Sequence, residues 1–181
     1  MRTNIKELIV RKKLQGCIEC GKCVASCPMY EMFKDFSYEY SARGIIGKVL
    51  FGAKWKSRLG GVGEDILKDK SIWYCLTCDV CTDGCPAGVK FCEFIKGLRQ
   101  IAIEKGVKEL GLFCKRCGNY FLPTHTLEYL REKIITPNPQ SLIPNLDWLL
   151  LCPKCRKYEI SQKIKELLPG NKKITKTIKE T

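Results

Sequence analysis

The chain has 181 residues, 13 of them cysteine, and its 32 lysines and arginines against 19 aspartates and glutamates give a formal charge of +13. That length holds one sizeable domain or two small ones, and small domains bury too little apolar surface to be stable without help such as bound metal. The odd cysteine total argues against a purely disulfide framework, and the longest strongly apolar run, 148–151, falls far short of the roughly 20 residues that span a bilayer.

Asn4, followed by Glu7 and by apolar Leu8 and Ile9, predicts a short capped helix over 4–13. This opening turns basic before any apolar core and cleavage site develop, so it does not read as a secretory signal. The expectation is a soluble, cytoplasmic protein, in which thiols stay reduced and cysteine clusters more often mean metal than disulfide. The first cluster is CIECGKCVASCP, with Cys17, Cys20, Cys23 and Cys27. Within residues 28–74, the segment SARGIIGKVLF places Ile45, Ile46, Val49 and Leu50 at helical spacing. KSRLGGVGED reads as a loop, and 64–69 as one or two helical turns. The second cluster is CLTCDVCTDGCP, with Cys75, Cys78, Cys81 and Cys85. Beyond it Val89, Phe91, Phe94, Ile95, Leu98, Ile101 and Ala102 recur at three and four, predicting the clearest helix of the chain, with Gly106 as its stop.

Residues 112–155 change character, with short apolar stretches, prolines at 123, 137, 139, 144 and 153, and two CxxC knuckles. A helix is expected over 126–134 with Thr126 as cap, and a last one over 157–168, stopped by Pro169 and Gly170. The lysine-rich end, 169–181, is expected to be disordered. The domain reading is therefore 1–111, 112–168 and a basic tail over 169–181, in a mainly α protein.

Both clusters obey C-x2-C-x2-C-x3-C-P, the spacing of bacterial two-cluster ferredoxins. Three cysteines two residues apart can wrap the backbone round one cubane and turn amide N–H groups toward its negative sulfurs. The fourth ligand of each cluster comes in this pattern from the other run. Cys17, Cys20, Cys23 and Cys85 are thus expected to hold one [4Fe-4S] cluster, and Cys75, Cys78, Cys81 and Cys27 the other. Paired zinc knuckles would not call for a third cysteine at this spacing and a fourth before proline. Lys22, Asp79 and Asp83 are candidates for setting the two potentials apart, because charge near a cluster is one lever on its potential.

Residues 1–110 resemble the HdrC-like family, the dicluster iron–sulfur subunits of heterodisulfide reductase and their relatives. The resemblance rests on CIECGKCVASCP, on Tyr40-Ser41-Ala42-Arg43-Gly44-Ile45-Ile46, and on Trp73-Tyr74 before the second cluster. It implies an α-helical dicluster ferredoxin fold, shared with iron–sulfur subunits of succinate dehydrogenase and fumarate reductase. It also implies an electron-transfer subunit of a multi-subunit oxidoreductase, relaying single electrons between a flavin or iron–sulfur donor subunit and a separate catalytic subunit with CCG domains. The chain shows no catalytic motif of its own, so no catalytic residue is expected in it.

Cys114, Cys117, Cys152 and Cys155 make two CxxC knuckles, the zinc-ribbon pattern, in which four thiolates close a tetrahedral structural Zn2+ site. A degenerate CCG-like site is the competing reading, but Cys114 stands three residues before Cys117, where that family has adjacent cysteines. Arg116, Lys154, Arg156 and Lys157 would give the module a basic rim. His125, the lone histidine, reads as a capping or exposed residue on a turn. Cys92 reads as a small buried residue, and Trp73, Tyr74, Phe91 and Phe94 as core and cluster shielding. Two clusters and one Zn2+, each held by four thiolates, would carry about −2 apiece and bring +13 down to about +7. The alternative to electron transfer is a nucleic-acid-binding protein with structural metal sites. Against it, there is no helix-turn-helix or RNP pattern, and aromatics are not interleaved with the basic runs.

Overall fold

A computed structural model describes residues 4–56, 65–135 and 147–168, in two compact units, Met1–Leu110 and Gly111–Thr181. The expected loop at 56–65, apart from its ends Lys56 and Asp65, which are helical, and the basic tail at 169–181 lie outside the described residues. The first unit holds eight α-helices among its described residues: α1 Ile5–Arg11, α2 Lys22–Ala25, α3 Met29–Met32, α4 Ala42–Lys56, α5 Asp65–Lys68, α6 Ser71–Tyr74, α7 Val80–Asp83 and α8 Phe91–Glu104.

The longest of these carry its core. α8 buries Phe91, Cys92, Phe94, Ile95, Leu98, Ile101 and Ala102 along one face, and each large apolar side chain so placed contributes about 1.5–3 kcal/mol. It ends as the sequence predicts. Gly106, at φ 90°, donates its N–H to Ile103, and Val107 donates to Ala102, the paired bonds of a Schellman stop. α1 is capped by the Asn4 side chain, which accepts from the Lys6 N–H at 3.1 Å. Its Leu8 lies over Gly97 of α8, where an added Cβ would come within 2.7 Å of the leucine. Ser41 caps α4, its hydroxyl accepting from the Gly44 N–H at 3.2 Å, and α4 buries Ile45, Ile46 and Val49.

The second unit pairs β1 Gly111–Phe113 antiparallel with β2 Tyr120–Pro123, then continues into α9 Thr124–Ile135 and α10 Pro153–Leu167. Both helices start earlier than their apolar spacing suggests. Thr126 lies buried inside the first turn of α9 rather than capping it, and His125 sits beside it in the helix rather than on a turn. α10 begins at Pro153, whose fixed φ suits the first helical position. The second cysteine knuckle is therefore the start of a helix, and only the first is a tight turn.

Candidate metal centres

The two cysteine runs repeat in backbone as they do in sequence. Glu19 and Gly21 in the first run have φ of 60° and 76°, and Thr77 and Asp79 at the matching positions of the second have 54° and 65°. Glycine enters this region freely, whereas β-branched threonine is strained there by about 1–3 kcal/mol, and such strain persists where function demands it. Backbone turned this way gathers N–H groups into an anion-binding concavity. Thr77 accordingly donates to the Cys75 Sγ at 3.3 Å, and Val89 to the Cys85 Sγ at 3.4 Å. Each run then makes one helical turn, α2 bearing Cys23 and α7 bearing Cys81, with Cys27 and Cys85 just beyond.

Packing of α2 against α7 brings the runs together and leaves two neighbouring cavities. The first, about 420 Å³ with the open solvent at its mouth included, is lined by Cys17, Cys20 and Cys23 of one run and by Cys85 of the other. The second, about 400 Å³, is lined by Cys75, Cys78 and Cys81 and by Cys27. Cys23, Cys81, Ala42 and Phe91 border both. Tyr40 also lines the second, stacked on Tyr74 with ring centroids 4.5 Å apart. Trp73 and Phe94 are buried in the core behind.

Three of the run cysteines in these walls, Cys23, Cys27 and Cys81, resist ionising on their own. Burial pushes Cys23 up, with Cys17, Cys20 and Cys85 adding repulsion, and burial with repulsion from Cys92 pushes Cys81 up to about 12. Burial also raises Cys27, helped by Cys78 of the other run and by Cys23. Thiols raised in this way would ionise beside cationic cargo, which a [4Fe-4S]2+ core would supply. Cys75 differs: a hydrogen bond from the buried Cys92 thiol holds it below the ordinary value against burial, with the Arg99 charge adding to the effect. Cys92 lines the second cavity as a ninth cysteine, fully buried.

Residues 13–89 match the 4Fe-4S dicluster domain family. The first unit is a dicluster domain, and it is similar to iron–sulfur subunits of the HdrC type. Over 111 residues the chain is 35% identical to a CoB–CoM heterodisulfide reductase iron-sulfur subunit (HdrC type) of Methanocaldococcus jannaschii, covering 61% of this chain and 50% of that one. It is 31% identical over 93 residues to the corresponding iron-sulfur subunit of Methanopyrus kandleri, covering 51% and 41%. It is 33% identical over 93 residues to the matching subunit of the H(2)/formate:CoB-CoM heterodisulfide,ferredoxin reductase of Methanococcus maripaludis, covering 51% and 42%. The chain thus spans half or less of the length of these relatives.

Around its cavities the dicluster domain places charges that sequence reasoning passed over. Arg43 lines the first cavity and is ion-paired with Glu19. Arg99 of α8 is only 3% exposed and donates to the carbonyls of Ile72 and Cys75. The available signal was its helical phase, four residues after Ile95 on an otherwise apolar face. Of the sequence candidates, Lys22 lines the first cavity at its exposed edge, Asp79 pairs with Lys96 at 3.6 Å, and Asp83 is exposed.

Beyond the dicluster domain, the second unit gathers Cys114, Cys117, Cys152 and Cys155, whose sulfurs all lie within 4.8 Å of one another. The first pair sits on the turn between β1 and β2, with Gly118 at φ 70°, and the second on the cap and first turn of α10. Burial would raise Cys114, but the amides of Cys152, Cys117 and Arg116 outweigh it and bring the thiol down to about 6. Burial and the hydrogen bonds with Cys152, Cys117 and Cys114 push Cys155 up to about 12. Four thiols this close together could hold a metal ion. His125 is not among these ligands. Two members of the expected basic rim are engaged in packing: Arg116 lies 4.0 Å over the Tyr158 ring, and Arg156 lies 4.6 Å over Trp148 while donating to the Trp148 and Leu151 carbonyls.

Proposed function

We propose that this chain is an electron-transfer subunit of a multi-subunit oxidoreductase, relaying single electrons between a flavin or iron–sulfur donor subunit and a CCG-domain catalytic subunit. The observation that carries this reading is the pair of cysteine-lined cavities that share the wall of Cys23, Cys81, Ala42 and Phe91. Cys17, Cys20, Cys23 and Cys85 hold one cluster, and Cys75, Cys78, Cys81 and Cys27 the other. [4Fe-4S] clusters supply reversible one-electron chemistry over a wide range of potentials. The chain's own residues hold the two sites side by side, screen them with Phe91, Met29 and Phe36, and direct amides at the sulfurs.

No catalytic residue is assigned here, because the reacting substrate belongs to the partner. Ile18 and Val80, beside Cys20 and Cys78, are 64% and 43% exposed, which suits each cluster's outer edge to transient docking. The second unit's four cysteines take a structural Zn2+, since all four positions are protein thiols and none is left open for chemistry.

The test is direct. The anaerobically purified chain should hold about eight iron, eight sulfide and one zinc. After reduction it should give up about two electrons to a CCG-type partner, followed by loss of its EPR signal. Failure to exchange electrons, together with tight duplex binding that falls steeply with salt, would favour the nucleic-acid reading instead.

A further inference from the structure

Arg99 is a buried cation whose hydrogen-bond partners are neutral. Its guanidinium donates to the Ile72 carbonyl at 2.8 Å and to the Cys75 carbonyl, and it lies 5.7 Å from the centre of the Trp73 ring. Among the described residues no carboxylate pairs with it. Leaving water costs an ion several kcal/mol unless an opposite charge stands nearby. The described residues supply none at this position. Cys75, whose backbone Arg99 grips, is the first cysteine of the second cavity.

The first cavity is arranged differently. Its partly buried cation, Arg43, is matched by the exposed Glu19, and Lys22 at its edge is exposed and screened by solvent. Near the second cavity, Asp79 is already matched by Lys96. One site therefore has a buried positive charge left over, and the other does not.

We propose that Arg99 is the counter-charge of the cluster bound by Cys75, Cys78, Cys81 and Cys27 and makes it the higher-potential cluster of the two, the site at which an electron in this chain comes to rest. The added electron brings that site's charge to about −3 from about −2. A fixed cation behind the backbone stabilises the reduced form more than the oxidised one. Arg99 acts through the field at the cluster and through the Cys75 loop, so it is a positioning residue. The inference rests on the ligand sets given above.

The experiment is an EPR-monitored potentiometric titration of the full-length, cluster-loaded chain. Signals are first assigned with Cys17→Ser and Cys75→Ser. The cluster lost in Cys75→Ser should be the one reduced at higher potential. In Arg99→Gln that cluster alone should become harder to reduce by about tenfold, 59 mV for a one-electron couple, and Arg99→Lys, which keeps the charge without the planar fork, should recover most of the shift. In Glu19→Gln, which leaves Arg43 unmatched, the other cluster should become easier to reduce; this variant leaves the Arg99 site intact and stays informative if Arg99→Gln fails to load.

The proposal is overturned by the opposite order of potentials, by equal shifts of both clusters, by a Lys variant that shifts as far as Gln, or by a Glu19→Gln titration identical to the parent. Cys85→Ser keeps the two readings apart. If it removes the same signal as Cys75→Ser, the ligand sets fail. If it removes the other signal while Arg99→Gln moves nothing, only the Arg99 reading fails.

Discussion

Gly44 of α4 lies so close under the carbonyl of Tyr38 that a Cβ there would stand 2.2 Å from its oxygen. The same Cβ would be 2.8 Å from the Glu39 Cα, so backbone rather than a flexible side chain fills the space. This contact seats α4, which brings Arg43 and Ile46 to the wall of the first cavity. Gly44→Ala should destabilise the dicluster domain by about 2 kcal/mol or more. Gly47→Ala, with open space around it in the same helix, should be neutral or stabilising by up to about 1 kcal/mol. Denaturant unfolding followed by visible cluster absorbance compares the two. Equal losses would show that helix propensity, not the Tyr38 contact, explains the glycine.

Exchange of fourth ligands between the runs predicts an asymmetric pattern of damage. Cys85→Ala should impair the cluster of Cys17, Cys20 and Cys23, and Cys27→Ala that of Cys75, Cys78 and Cys81. Each variant should keep about four of the eight irons as an intact cluster. Iron analysis with EPR reads this out. Damage confined to the variant's own run would show that each run closes its own site.

Cys92 lines the second cavity, fully buried, beside Cys75. Its backbone N–H donates to the Thr82 hydroxyl at 3.2 Å. Cys92→Ser should retain both clusters, because eight ligands are already present without it. Loss of about half the iron would make Cys92 a ligand and displace one of the eight.

Cys114, Cys117, Cys152 and Cys155 should bind Co2+ in place of Zn2+ with the visible spectrum of a tetrahedral thiolate site. Acid should release the metal, since protons compete for the same sulfurs. Cys114→Ser should weaken binding by at least tenfold and lower the stability of the second unit while the iron content stays unchanged. Finding additional iron and no zinc at this site would overturn the assignment.

Asp69 ties α4 to α6. Its carboxylate accepts from the Ser71 N–H at 2.8 Å and from Lys48 Nζ at 3.1 Å. Burial opposes ionisation, but the Ser71 amide and hydroxyl and Lys48 outweigh it and hold the carboxyl below its ordinary value. A lowered folded value means that the unfolded chain binds more protons in acid. The contribution is therefore complete above about pH 4 and is lost as the pH falls further. Asp69→Asn should cost about 1 kcal/mol at neutral pH. The gap between variant and parent should close as the pH is taken from about 7 to about 3. A gap constant across that range would show that the carboxylate charge is irrelevant.

Local signals in the chain were enough to single out the eight cysteines that line the two cavities and the four of the second unit, because spacing within a run is a property of neighbouring residues. The same holds for α8, whose apolar period and stop at Gly106 are written into one short stretch. Starts of helices were less legible. α9 and α10 begin at Thr124 and Pro153, ahead of the apolar residues that mark them, since hairpin and knuckle set where the chain turns. The left-handed conformations of Glu19, Thr77 and Asp79 were likewise invisible, because those residue types ordinarily avoid that region and adopt it here under the constraint of the loop.

The spacing of the cysteines, by itself, marked this protein for iron–sulfur clusters and a second thiol site, and the short-range periodicity determined that its first unit is helical. Which sulfurs line which cavity depends on α2 meeting α7 across some fifty residues of intervening chain, and that is a property of packing alone. Packing also decides that Arg99 is sealed behind Cys75 with no carboxylate among the described residues beside it, while Arg43 finds Glu19. A buried charge takes its meaning from the surfaces that close over it, and those come from every part of the first unit.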